Sequence, residues 1–466
     1  MTAKEQMRLA IVGAGPAGIY AADILLKTER DFDVAVDLFE HLPAPYGLVR
    51  YGVAPDHPRI KGIVNALREV LDAGNIRFFG NVHFGRDITL ADLQQHYHAV
   101  IFATGAVTDA PLVIPGIAAP ESYGAADFVS WFDGHPDVPR SWPLQAREVG
   151  VIGNGNVALD ISRILIKHAE DLLPTEIPDN VYQGLQQNPI ETLHVFGRRG
   201  PLQVKFTPLE LRELGEVRDV DMVLNPADFE LTDDHLESLK NSNKQVLVMS
   251  RIFGQWLQTQ QQREAGELPR ASRRLVFHFW SKPVAIETDA AGHVTGIKIE
   301  RTRPDGTGGV IDTGEFTVVP VGAVYRAVGY FGSALEQVPF DELRGVIPNN
   351  AGRVVTAPGS DEQVPGMYAT GWIKRGPVGL IGATKSDARE TLEGLLADWQ
   401  EGKVWQPQRP EPEAIEQLLT ARGVQYTDIT GWHQLDAHEI SLGEAAGRER
   451  IKVVPRAEML DISRAD

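Results

Sequence analysis

Two glycine-rich stretches hold the residue types from which a nucleotide site can be built: Leu9–Gly18, L-A-I-V-G-A-G-P-A-G, and Val149–Ala158, V-G-V-I-G-N-G-N-V-A. In G-x-G-x-x-G the chemistry belongs to the backbone. Gly13 permits a tight turn, Gly15 lets the main chain approach a pyrophosphate, and Gly18 lets helix and strand lie close, with Ala14, Pro16 and Ala17 completing the loop. The free amides that open the next helix face the phosphate charge. Glu40, 22 residues past Gly18, stands where a carboxylate accepts from ribose hydroxyls and repels a 2′-phosphate. In the second stretch Asn154, Gly155, Asn156 and Val157 form the loop, and Ala158 is small enough for the same close approach. Arg198 and Arg199 take the place of the acid, and their forked donors suit a 2′-phosphate. The first site reads as FAD and the second as NADP. Hydride transfer between two such groups needs proximity and alignment more than acid–base help.

The elements that must hold these loops follow from the apolar pattern. A buried strand at Leu9–Val12 leads into a helix over Ile19–Lys27, then a strand at Val34–Phe39. A helix (Lys61–Ala73) and strands at Ile76–Val82 and Ala99–Ala103 close the first unit at Thr104-Gly105. The pattern restarts with a strand at Glu148–Ile152, a helix over Leu159–Ala169 and a strand at Glu191–Phe196. Thr207, Pro208 and Glu210 read as a capping box opening a helix. Arg274–Val328 reads as an antiparallel insertion with Gly/Asp turns, its buried pattern resuming at Val324–Val328. An apolar segment at Met367–Gly371 precedes a helix from about Thr384 to Gln400, whose positive end is expected to face the flavin pyrimidine. Pro407–Pro412 then links to a C-terminal helix and an irregular tail. The fold class is α/β, with two Rossmann-like dinucleotide-binding domains: FAD on 1–107 and 330–466, and NADP on 108–329, inserted into it. The loop Pro43–Pro58 carries Tyr46, Leu48, Val49, Arg50, Tyr51 and His57, too many large side chains for a solvent loop. It is expected to lie against something flat and apolar.

At 466 residues the chain calls for two or three domains. A net charge of −18 argues against general affinity for nucleic acid or anionic membrane. No apolar run approaches bilayer length and no apolar leader precedes the first strand, so a cytoplasmic protein is expected. The chain has no cysteine, which excludes a redox disulfide, a thiolate nucleophile and a cysteine-held iron–sulfur cluster. Electrons must therefore leave to an acceptor outside the chain. No metal site is expected.

The stretches I-V-G-A-G-P-A-G, P-Y-G-L-V-R-Y-G-V-A-P-D-H-P, I-G-N-G-N-V-A-L-D, G-R-R-G-P-L-Q-V-K-F-T-P-L-E-L-R-E and G-W-I-K-R-G-P-V-G-L-I-G resemble the adrenodoxin-reductase-like branch of ferredoxin–NADP reductases, bacterial two-domain members included. The likeness runs from residue 10 to about 390. It implies a reductase passing hydride from NADPH to FAD and single electrons to a ferredoxin. It implies FAD held by the Gly13 loop, Glu40, Leu48, Val82, Trp372, Gly379, Leu380 and Ile381. NADP would be held by Asn154–Val157, Arg198, Arg199, Glu210 and Gly379, with His57 and Glu213 near the nicotinamide as residues that influence hydride transfer. Gly382-Ala383-Thr384-Lys385 departs from the Gly-Thr-Asn-Lys frequent in relatives.

Two other readings use the same scaffold. An NADPH-dependent flavin monooxygenase shares the layout, but its F-x-G-x-x-x-H stretch is missing here. A non-enzymatic flavin-fold binding module sits badly with two intact glycine loops. For an acidic ferredoxin partner, long-range repulsion is screened beyond about 8 Å at physiological salt, so local patches decide docking. Arg212, Arg270, Arg273 and Arg274, with the basic residues of the resembling family's NADP domain in mind, are the expected docking face.

With no cysteine in the chain and no histidine beside a glycine loop, FAD is expected to be bound non-covalently. Acid precipitation of the yellow protein should release all flavin to the supernatant; colour retained in the pellet would contradict this.

Overall fold

A parallel strand covered on both faces is apolar along its whole length, and in the Gln6–Val12 strand every residue after Gln6 is buried. The one charge among them, Arg8, is neutralised by Asp37 of the neighbouring strand at 2.6 Å. The computed structural model describes residues 6–57, 62–229, 244–307, 309–379 and 381–465. In it this strand lies inside a seven-stranded sheet ordered Asn349–Asn350, Arg353–Val355, Gln363–Ala369, Ala99–Phe102, Gln6–Val12, Asp33–Phe39, Ile76–Phe79. The last five run parallel, and the first two add an antiparallel edge. The helix Pro16–Lys27 begins directly after the glycine loop, three residues earlier than the apolar pattern indicates, because Pro16 is well suited to a first helical turn. The helix expected from Lys61 spans Ile63–Asp72, and Lys61, like Pro58, lies outside the described residues.

A second sheet of six parallel strands is ordered Ser122–Gly124, Ala323–Arg326, Glu148–Ile152, Thr192–Phe196, Arg273–His278, Val220–Val223. Its strands all fall between residues 122 and 326, while those of the first sheet lie before 103 or after 348. The chain crosses between them at one place, where Thr108–Asp109 pairs antiparallel with Tyr330–Phe331. The antiparallel insertion is smaller than expected. It covers Ser281–Thr288, Val294–Pro304 and Val310–Pro320, whereas Arg273–His278 belongs to the parallel sheet. Leu275 and Phe277 are buried in the parallel core, which decides that strand's partner. A further strand of this sheet, Val220–Val223, follows the helix that opens at Thr207.

The C-terminal region is not an irregular tail. It forms helices at Pro412–Ala421, Ile429–Ala445 and Arg456–Ser463. Charges on them that look solvated in sequence pair in the fold, among them Glu416 with Arg77, Asp436 with Arg450 and Glu439 with Arg50. The Pro43–Pro58 loop finds its apolar wall there: Tyr46 meets Trp432 edge-on at 5.6 Å, and Arg50 holds Glu439 through two hydrogen bonds of 3.0 and 2.6 Å. Ala54 of the same loop joins the core of the second unit. No helix among the described residues is long and apolar enough to cross a membrane.

Because Glu439 is fully buried against the equally enclosed Arg50, Glu439→Ala should leave a guanidinium without its counter-charge and cost about 3–5 kcal/mol. Urea unfolding of the holoprotein measures it; a loss near zero would mean the pair is dispensable.

Candidate active site

Both glycine loops have the backbone that the residue pattern demands. Gly13 has φ +111°, and a side chain there would strike the Ala103 carbonyl. A Cβ on Gly18 would strike the Gly13 carbonyl, so helix and turn are in contact. Gly155 has open space at its Cβ position, and Gly153 repeats the positive φ at +148°. Glu40 is buried at the end of its strand. Its carboxylate accepts from the Ala14 amide at 2.9 Å and the Leu42 amide at 3.1 Å, and His41 Nδ1 lies 2.7 Å away. Burial alone would raise its pKa, but His41 and the two amides outweigh this and hold it below the usual range. Glu40 thus braces the first loop. Leu48 opens a short helix, Leu48–Tyr51, and Val82 is buried with its amide on Glu40 O at 2.8 Å. Trp372 starts the turn Trp372–Arg375, and Gly379 is exposed at φ +87°. Leu380 lies outside the described residues, as does the side chain of Ile381.

The residues present fit two nucleotides. Several buried polar atoms have no hydrogen-bond partner: Thr104 Oγ1 beside the first loop, and Asn154 Nδ2, Arg199 Nε and Gln203 Oε1 around the second. Such atoms are costly to leave unmade, and donors and an acceptor at a helix start suit phosphate and ribose. Arg198 is exposed and Arg199 half-buried directly after the Thr192–Phe196 strand, free to turn toward a 2′-phosphate. Asn156 has a further duty. Its Oδ1 accepts from the Thr207 amide at 2.9 Å. The capping box at Thr207 is therefore half formed: Thr207 Oγ1 accepts from the Glu210 amide at 3.3 Å, but the Glu210 carboxylate does not reach back. It is drawn into a buried charge network.

That network lies where the two units meet. His57, on the loop of the first unit, has Nε2 2.8 Å from Asp160 Oδ1 and 3.1 Å from Glu210 Oε2. Arg163 enters from the same helix as Asp160, Asn156–Ile166, with Nη2 2.6 Å from His57 Nε2. It also grips Asp56 with two bonds, of 2.8 and 2.9 Å, and Lys167 adds a third contact to Asp56 at 2.5 Å. Three cations face four carboxylates, counting Glu213, so the cluster is close to neutral. Burial lowers the His57 pKa, but the bonds to Asp160 and Glu210 overcome it and hold it at about 10. Asp56 is kept well below its usual value despite burial, by Arg163 and Lys167. Glu213 Oε2 lies 2.9 Å from His57 Nδ1 without hydrogen-bond alignment, and burial raises this carboxyl's pKa beyond the opposing pull of His57 and Arg163. His57, Glu210 and Glu213 bring ligand atoms within 4.8 Å of one another, yet the Arg163 guanidinium at their centre disfavours a metal cation.

Asp56, Asp160, Arg163 and Lys167 were not singled out by sequence. The available signal was the placing of Asp160 and Arg163 one turn apart on an otherwise apolar helix face. Of the four docking candidates, Arg212 lies on the Pro208–Gly215 helix, and Arg273 and Arg274 on the Arg273–His278 strand. Arg273 and Arg274 begin a strand whose far end, His278, bonds the Gly197 amide at 3.0 Å. At 3.3 Å per residue that sets them ~16 Å from the cofactor end of the sheet. Arg273 is moreover half-buried, with Nη1 donating to the Ile166 and Lys167 carbonyls at 2.8 and 2.5 Å. It caps a helix. Arg270 precedes the same strand, and Arg212 alone shares the helix of Glu210 and Glu213, exposed.

The chain is similar along nearly its whole length to proteins of known activity. Residues 7–191 match the family model described as pyridine nucleotide-disulphide oxidoreductase; without cysteine, this chain has none of the dithiol chemistry in that description. The NADPH-ferredoxin reductase FprA of Mycobacterium tuberculosis is 39% identical over 97% of this chain and 98% of its own. The mitochondrial NADPH:adrenodoxin oxidoreductase of Bos taurus is 37% identical over 98% and 92%. The solved structure of Mycobacterium tuberculosis FprA in complex with NADPH superposes with a TM-score of 0.87 at 38% identity, covering 98% of this chain and 100% of that one.

A His57 pKa near 10 against 6.5 for the free side chain means its favourable interactions are fully present below pH 6.5 and are lost as pH rises toward 10. The rate of flavin reduction by NADPH should show no inflection from His57 between pH 6.5 and 8.5. Asp160→Asn, which removes one supporting acceptor, should bring an inflection down toward neutral pH. A wild-type inflection near 6.5 that vanishes in His57→Gln would contradict the assignment.

Proposed function

This chain belongs to the family of NADPH–ferredoxin and NADPH–adrenodoxin reductases, and from that premise we propose how its own residues divide the work. The protein is a flavin-dependent oxidoreductase that takes a hydride from NADPH and delivers electrons to an iron–sulfur protein. Bound FAD supplies the change from two-electron to one-electron chemistry. The FAD pocket, on this reading, is the Gly13–Gly18 loop braced by Glu40, with Leu48, Val82, Trp372 and Gly379 around the ring system. Asn154–Val157 hold the NADP pyrophosphate, and Arg198 and Arg199 its 2′-phosphate. The division of the chain at about residues 108 and 330 follows the ribbon that joins the two units.

His57 and Glu213 position the nicotinamide. The observation that carries this is the pair of carboxylates, Asp160 and Glu210, that hold His57 charged and fixed at the junction of the two units. A group that stays protonated across neutral pH orients and does not shuttle protons. The unaligned Glu213 oxygen is available to accept from the nicotinamide carboxamide. Glu210 contributes through His57 and Arg163, not as an N-terminal cap. For the acceptor, an acidic ferredoxin, Arg212 is the member of the four-arginine set best suited to docking, since it is exposed on the helix that carries Glu210 and Glu213.

The nucleotide assignment is tested by Arg198→Ala/Arg199→Ala. Each charge-assisted bond to a 2′-phosphate contributes roughly 1.5–3 kcal/mol, so KM for NADPH should rise on the order of a hundredfold or more. NADH kinetics should stay nearly unchanged. An equal loss for both nucleotides would make the arginines supports of the fold.

A further inference from the structure

The segment after Gly447 lies across both units. Arg448 pairs with Asp179 at 2.7 Å and donates to the Ile177 carbonyl, both in the second unit. Arg456 holds Asp137 of the second unit at 2.7 Å, and on its other side donates to His41 O at 2.8 Å and Asn81 Oδ1 at 2.7 Å in the first. Between these two arginines sits Lys452, only 4% exposed. Its ammonium donates to Arg50 O at 2.8 Å and Asp133 O at 3.0 Å, and Glu176 Oε1 lies 2.8 Å away. An ammonium has three donors, and here three acceptors from two units converge on it.

The position of those acceptors in the chain gives them their importance. Arg50 is on the loop that carries Asp56 and His57. Asp133 ends the helix Ala125–Phe132, which lies against the Asn156–Ile166 helix that carries Asp160 and Arg163. The His57 network joins the fronts of these two pieces, and Lys452 joins their backs. Neighbouring pairs stiffen the joint: Glu439 accepts from the Val453 amide at 3.0 Å while holding the Arg50 guanidinium. Tyr51 lies beneath both Arg50 and Lys452, at 5.1 and 5.7 Å from ring centre to charge.

We propose that Lys452 is a positioning residue for hydride transfer. By pinning the His57 loop to the unit that bears Asp160 and Arg163, it sets the separation of the two nucleotide pockets. The proposal rests on the reading of the His57 site given above. Because Arg50, Asp133 and Glu176, which hold Lys452, all lie outside the two glycine loops, its removal should spare binding and impair alignment, and a misplacement of 1 Å can cost about a hundredfold in rate.

The test uses the purified holoenzyme with Lys452→Met, Glu176→Gln and His57→Ala. Lys452→Met should retain one FAD per chain and bind NADP+ within about twofold of wild type. Its flavin reduction at saturating NADPH, followed by stopped flow, should slow roughly ten- to a hundredfold. Glu176→Gln, which leaves both backbone acceptors, should slow it less. An unchanged rate in Lys452→Met overturns the proposal, and so does a parallel loss of flavin and NADP+ affinity, which marks general loosening. If Lys452→Met does not fold, Glu176→Gln decides: slower reduction with normal binding supports the proposal, and an unchanged rate overturns it. Slow reduction in His57→Ala beside a normal Lys452→Met leaves the site standing and removes only the strap. Normal reduction in His57→Ala overturns the site reading and the proposal with it.

Discussion

Charges can be buried only where they are neutralised and hydrogen-bonded, and at the junction of the two nucleotide units this chain gathers seven of them, with His57, Arg163 and Glu210 buried and the other four half-buried. Arg163 is the centre of that network, 1% exposed and in contact with Asp56, Asp160, Glu210 and His57. The contributions come from three separated parts of the chain: the loop before residue 58, the Asn156–Ile166 helix and the Pro208–Gly215 helix. None of these charges would tolerate burial alone, so the network forms only when both units are correctly joined. On the proposed reading, the nicotinamide and flavin sites inherit their relation from that joint.

The same need explains the C-terminal helices. Lys452, Arg450 and Arg50 are compensated by Glu176 of the second unit and by Asp436 and Glu439 of the Ile429–Ala445 helix. The result is a junction held by ion pairs, with Tyr46 and Val49 of the loop that carries Arg50 buried in the first unit's core and Ala54 in the second's. Such a joint is directional, which an apolar contact of the same area would not be. Hydride transfer depends steeply on geometry, so a directional joint suits it.

Glycine spacing, strand patterns and the residue after each second strand made the two nucleotide units legible. Gly13 and Gly18 are required by contacts inside their own strand–turn–helix, and a requirement so local is written in a short stretch of sequence. The strand Glu148–Ile152 was readable to the residue, and the helix Thr384–Gln400 in its approximate bounds, for the same reason. The absence of cysteine was decisive without any structure, since it removes a whole class of redox chemistry.

Tertiary structure alone decided which charges matter. Glu210 looks like a capping residue because the local pattern Thr-Pro-Leu-Glu favours it, yet a buried histidine and arginine 47 or more residues away claim its carboxylate. Arg273 looks like a surface cation and is a helix cap; Lys452 looks like one in a loose tail and is buried. Sequence determines local backbone requirements because steric and hydrogen-bonding rules act over a few residues. Long-range ion pairing depends on which surfaces meet, and in this protein that is settled by how the inserted unit returns against the first.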